Sequence, residues 1–147
     1  MGLDMHLYKR MYVRNWEHSK EKKEVTVKVD GKIIKGFDNP SYVIQQVAYW
    51  RKFNALHGYI VDNFANGEDI CQEIWLDYDD IESILKALKD EENQLEPTEG
   101  FFFGSQEKDE WYKEDVKNAI EVFESVLKDM DNGFGKRYLD FYYQASW

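Results

Sequence analysis

A chain of 147 residues with 29 acidic against 19 basic side chains carries a formal net charge of −10, which repels phosphate backbones at long range and argues against general nucleic-acid binding. Hydrophobic residues at 43% and aromatics at 16% exclude a disordered chain and suffice for a single domain over residues 1–147. The single cysteine, Cys71, excludes an internal disulfide and a cysteine zinc cage; with no apolar run near the ~20 residues of a membrane span and no basic-then-apolar leader, the expectation is a cytoplasmic protein without a membrane anchor.

Residues 3–8, LDMHLY, alternate Leu3, Met5 and Leu7 against Asp4, His6 and Tyr8, which predicts a strand with one buried face. RNWEHSKEKKE (14–24) is polar and predicts an excursion. VTVKV, Asp30-Gly31 and KIIKG then predict a hairpin with one polar side, at an edge or protruding. Asn39-Pro40-Ser41 reads as a helix start, after which Val43, Ile44, Val47, Trp50, Phe53, Leu56, Ile60, Val61 and Phe64 recur at helical spacing. That pattern predicts a central helix of about six turns, ending at an Asn66-Gly67 C-cap. CQEIWLD (71–77) predicts a short strand, and Asp77 or Asp79 caps a second helix bearing Ile81, Ile84, Leu85 and Leu88. A solvated acidic run over 89–96 and Pro97 follow. After GFFFGS (100–105), Trp111, Val116, Ala119, Ile120, Phe123, Val126, Leu127 and Met130 predict a third helix closed by Asn132-Gly133. The final YLDFYYQASW alternates as a ring-rich strand. The sum is an α+β fold: about three helices on one face of a small, mostly antiparallel sheet, with a β-hairpin excursion.

The densest chemical constellation is YWRKFNALH (49–57). On the predicted central helix Trp50, Asn54, His57 and Val61 share one face, flanked by Arg51 and Lys52. Arginine offers a planar fork for an anion, asparagine an amide, histidine a titratable donor and tryptophan a stacking plate, the parts of an anion-plus-base pocket. The plainer alternative leaves Arg51 and Lys52 solvated, Trp50 in the core and His57 satisfying a buried carbonyl. In GFFFGS an extended backbone would point Phe102 opposite to Phe101 and Phe103, while Gly100 and Gly104 permit a turn and Ser105 caps or presents amides to an anion. The acidic residues Glu107, Asp109 and Glu110 weaken an anion site there. Asp109 with Glu110, or Asp4 with Asp140, form carboxylate pairs that an acidic chain offers by chance, and Cys71 reads as a small buried residue. No HExxH, nucleophile elbow, Walker loop or GxGxxG occurs, so no catalytic residue, metal ligand or cofactor is assigned.

The blocks MGLDMHL (1–7), YWRKFNALH (49–57), GFFFGS (100–105), KDEWY (108–112) and FYYQASW (141–147) together resemble a family of small, uncharacterised phage, prophage and bacterial proteins. Members of that family look like MGLDMYL, YWRKANAIH, GFFFGS with YDEWY, and an FYYQSSW-like end. Here His6 stands for tyrosine, Phe53 for alanine and Lys108 for tyrosine. The resemblance implies a compact counter-defence protein, by analogy alone.

The leading expectation is a non-enzymatic binding protein, in a homo-oligomer, that sequesters a small anionic, nucleotide-like ligand between the central helix and the FFFGS–DEWY segment. Arg51 and Lys52 would neutralise its charge. Trp50, Phe102, Trp111 or Tyr112 would stack, Ser105 would cap or donate, and Asn54 and His57 would orient. One rival is an acidic, aromatic inhibitor of a host protein. A second is a small nucleotide hydrolase using carboxylates and His57.

Overall fold

A computed structural model of the chain describes residues 2–96, 110–132 and 138–147, with Glu110 and Trp111 described in backbone only. The N-terminal alternation becomes strand β1, Asp4–Tyr12, with Leu3, Met5 and Leu7 fully buried. A polar excursion follows, carrying the two-residue strands β2, Lys28–Val29, and β3, Lys32–Ile33. Asp30 and Gly31 hold φ of +53° and +78° at its tip, as a tight hairpin turn requires. Every residue from 28 to 39 is exposed, so the hairpin projects into solvent.

Its root is clasped by two asparagines. Asn39 Oδ1 accepts the Asn15 N–H at 2.8 Å, and Asn39 Nδ2 donates back to the Asn15 carbonyl at 2.9 Å. The Asn15 side chain in turn brackets the Lys23 backbone at 2.6 and 2.7 Å. Asn39-Pro40-Ser41 is therefore a clasp and not a helix start.

The predicted six-turn central helix is two elements. Tyr42–Arg51 is strand β4, antiparallel to β1, and helix α1 spans only Asn54–Phe64. Lys52, at φ +57°, turns the chain between them, and its N–H donates to the Leu3 carbonyl at 2.8 Å. The first half carries Tyr42, Val43, Ile44, Val47 and Tyr49, β-branched and aromatic residues that favour a pleated surface. A β-bulge hid its period. Leu7 pairs with Ala48 but Tyr8 with Gln46, so Val47 is the extra residue and the inward parity changes halfway along the strand. Residues 43, 47 and 50 thus mimic helical spacing.

The Asn66-Gly67 pair does close α1, at φ +54° and +75°, with the Gly67 N–H reaching back to the Val61 carbonyl at 3.0 Å. Strand β5 is Ile74–Leu76 and helix α2 is Tyr78–Lys89. Asp77 caps α2 by accepting the Asp80 N–H at 2.8 Å, while the Asp80 carboxylate accepts the Asp77 N–H at 3.0 Å. Asp77→Ala is expected to lose about 1 kcal/mol of stability in urea unfolding, and an unchanged midpoint would show the box to be ornamental.

Helix α3 runs Glu110–Asp131 and strand β6 runs Leu139–Ser146; the Gly133 of its expected C-cap lies outside the described residues. The sheet order is β4-β1-β6-β5, antiparallel throughout. Its inner face offers Met5, Leu7, Trp50, Ile74, Leu76, Phe141, Tyr143 and Ala145 to Leu56 and Ile60 of α1, Ile81 and Ile84 of α2, and Ala119 and Phe123 of α3. Lys9 shares the inward parity of β1 and meets Asp129 of α3 at 3.6 Å. This is the expected α+β arrangement of helices on a small antiparallel sheet; among the described residues there are three helices and four strands in that sheet, with a second, two-stranded sheet in the excursion. Among the described residues no helix is long and apolar enough to cross a membrane.

Candidate functional site

The residues of YWRKFNALH do not share a helical face. Trp50 and Arg51 end β4, Phe53 precedes the first turn of α1, and Asn54 and His57 lie within α1. Trp50 is 4% exposed, stacks on Phe123 at 5.8 Å and 15°, and donates from Nε1 to Asn118 Oδ1 at 2.9 Å. Its ring is a strut between β4 and α3, so it has no open face for a ligand. Arg51 and Lys52 are exposed and lie against Gly2, where a Cβ would meet Lys52 Cε at 3.0 Å. Asn54 is buried.

Tyr112, near the start of α3, is half-buried, sets its ring edge against Phe53 at 6.0 Å, and accepts the Leu95 N–H at 3.1 Å; burial raises its pKa. Among the described residues, Tyr112 is the one expected ligand residue lining a cleft of about 810 Å³ between the end of α2 and the start of α3, with Leu88, Lys89, Val116 and Ile120. Phe102, Ser105 and the Trp111 side chain lie outside the described residues, as does Asp109.

His57 stands in a knot that no sequence spacing announced. Its Nε2 meets Asp69 Oδ2 at 2.8 Å, its Nδ1 meets the Tyr143 hydroxyl at 2.6 Å, and Asp69 Oδ1 accepts the Trp147 indole N–H at 3.1 Å. A carboxylate oxygen can only accept, so Nε2 is the donor to Asp69. Burial, then the Asp69 charge, holds the Tyr143 pKa well above the usual tyrosine value. An acid–imidazole–hydroxyl order invites a catalytic reading. The Tyr143 hydroxyl is held protonated beneath the sheet with no exposed surface, so it is no nucleophile. The knot ties α1, the loop after it and the C-terminal strand together. Asp4 and Asp140 do not form a carboxylate pair, since Asp140 of β6 faces Arg10, six residues along β1 from Asp4 and about 20 Å away. Among the described residues no three of His, Cys, Asp and Glu converge as metal ligands.

What the fold leaves open is the other face of the sheet. Strand pairing places His6, Tyr8, Arg10 and Tyr12 of β1 beside Tyr49, Gln46, Ile44 and Tyr42 of β4 on that face, and beside Gln144, Tyr142 and Asp140 of β6. Trp75 of β5 pairs with Tyr142 on the same side. These rings touch in a continuous series. Tyr49 lies 5.2 Å from His6, His6 5.8 Å from Tyr8, Tyr8 4.9 Å from Tyr142, and Tyr142 4.7 Å from Trp75.

Arg10 crosses the middle, its guanidinium 4.1 Å from the Tyr42 ring and 4.2 Å from the Trp75 ring. Nη2 reaches Asp140 at 3.3 Å, while the buried Nε has no hydrogen-bond partner among the described residues. At the far end the Tyr49 hydroxyl donates to Asp4, which raises the tyrosine pKa. Tyr142 is raised chiefly by burial, with Glu73 adding to it. Such a surface offers ring faces, hydroxyls and one braced cation, without a paired acid and base. Outward-facing rings at period-2 positions, Tyr8, Tyr12 and Tyr142 where charge is usual, were the available sequence signal.

No family model matches this chain, and neither a curated protein nor a solved structure matches it.

Proposed function

We propose that the protein is a non-enzymatic binding protein whose ring-lined open sheet face docks on another protein, in the manner of a phage-type inhibitor of a host factor. The observation that carries this reading is the Arg10 guanidinium braced between Tyr42 and Trp75 across all four strands. Tryptophan, tyrosine and arginine dominate the energy of protein interfaces, because each buries a large rigid area and keeps a polar handle. A small ligand favours a concave site, and four cavities lined by described residues lie along α2, the residues that follow it, α3 and Val47, away from the ring-lined face. The negative charge favours a basic partner.

The small-anion reading keeps one support of its own: Arg51 and Lys52 are adjacent exposed cations at the end of β4. The two readings separate in one experiment. Purified protein is used to capture partners from host lysate in parallel with a Trp75→Ala/Arg10→Ala double variant and with Arg51→Ala. The expected result is a stoichiometric basic protein held by the wild type and by Arg51→Ala, and lost at least about thirtyfold by the double variant at unchanged melting temperature, as two interface anchors of ~1–2 kcal/mol each would give. Equal capture by all three, or a small anion seen by native mass spectrometry that Arg51→Ala releases, overturns it.

A further inference from the structure

We propose that β4 pairs with β4 of a second copy of this chain, antiparallel across a two-fold axis, fusing two four-stranded sheets into one of eight. This goes beyond the docking of the open face and does not depend on it. The order β4-β1-β6-β5 leaves β4 as a ten-residue edge, against three residues at β5.

The direction of its free amides follows from the register. The Val13 N–H donates to the Ser41 carbonyl at 2.9 Å, so residues 13 and 41 form a hydrogen-bonded pair. Antiparallel ladders alternate, hence Tyr12↔Tyr42, Arg10↔Ile44 and Tyr8↔Gln46 are the pairs whose N–H and C=O groups point away from each other. Tyr42, Ile44 and Gln46 therefore aim their N–H and C=O groups out of the sheet, and no hydrogen bond among the described residues takes them up. Only another extended strand matches that row.

The chemistry of the edge selects a copy of itself. Natural edges are guarded by charge, yet residues 42–50 contain none. In a chain with 29 acidic residues, none occurs between 39 and 61, so β4 itself brings no carboxylate to the pairing of two copies. Tyr42, Val43 and Ile44 are all exposed, Ile44 by 53%. A two-fold register centred on Ile44 sets it against Ile44 of the second copy, Tyr42 against Gln46, and Val43 against Gln45. Every pair is apolar or amide, and about six backbone hydrogen bonds form. The bulge at Val47 bends the strand beyond that point and ends the pairing there.

The test is the mass in solution, by light scattering after size exclusion, of the wild type, Ile44→Val and Ile44→Lys. Wild type and Ile44→Val are expected at twice the 17.6 kDa chain mass. Ile44→Lys, which sets two ammonium groups opposite each other, is expected at the single mass with an unchanged circular-dichroism spectrum. A monomeric wild type at tens of micromolar, or an Ile44→Lys variant that stays dimeric, overturns the proposal. Should Ile44→Lys fail to fold, amide exchange over residues 42–46 of the wild type decides. Exchange at least tenfold slower at high than at low protein concentration supports the pairing, and concentration-independent exchange overturns it.

Discussion

Trp50→Ala is expected to destabilise the protein by about 3–5 kcal/mol, the range for truncating a large buried ring. Two losses combine. The stack on Phe123 at 5.8 Å disappears and leaves a void between β4 and α3, and Asn118 Oδ1 loses the indole donor it holds at 2.9 Å. For a chain of this size the melting temperature should fall by roughly 10 °C or more. Scanning calorimetry checks it. A variant that melts like the wild type but no longer holds its ligand would return Trp50 to the role of stacking plate.

Tyr143→Phe is expected to cost about 1–3 kcal/mol at neutral pH, because His57 Nδ1 stays buried without the hydroxyl it meets at 2.6 Å. The same substitution changes the alkaline behaviour. The Tyr143 pKa is raised in the folded state, so above pH ~10 the unfolded chain releases a proton that the native chain retains. The native state then binds more protons than the unfolded state, and stability falls with rising pH by about 1.4 kcal/mol per unit until the folded pKa is reached. Phenylalanine has nothing to ionise, so the gap between the two proteins should be full below pH 10 and narrow above it. Urea unfolding at pH 7 to 11 measures this. Curves that stay parallel through pH 11 would mean that the hydroxyl is not held neutral.

The elements legible in the sequence were those with one unbroken period. Leading into and along β1, Leu3, Met5 and Leu7 alternate without interruption and are all fully buried. Helix α2 was legible from its stripe of Ile81, Ile84, Leu85 and Leu88 and from the aspartate that caps it. β4 was not, because a bulge shifts its parity at Val47 and the apolar positions on either side fall into a spurious helical series. With the first half read as helix, Trp50 was set beside His57 on one face, although they lie on a strand and a helix and serve different contacts. The open face was hidden for a related reason. Arg10, Tyr42, Trp75 and Tyr142 come from four strands as far as 132 residues apart, and their sequence neighbours do not say which strand lies beside which.

Local chemistry alone therefore determined the class of fold, the hairpin tip at Asp30-Gly31, the Asn66-Gly67 close of α1 and the capped start of α2, the last three through contacts within a few residues. Strand order, the His57–Asp69–Tyr143 knot and the ring-lined face were decided only in three dimensions. Burial on one side of a sheet is set by whichever helices cover it, and the side left uncovered is assembled from residues that no local pattern links.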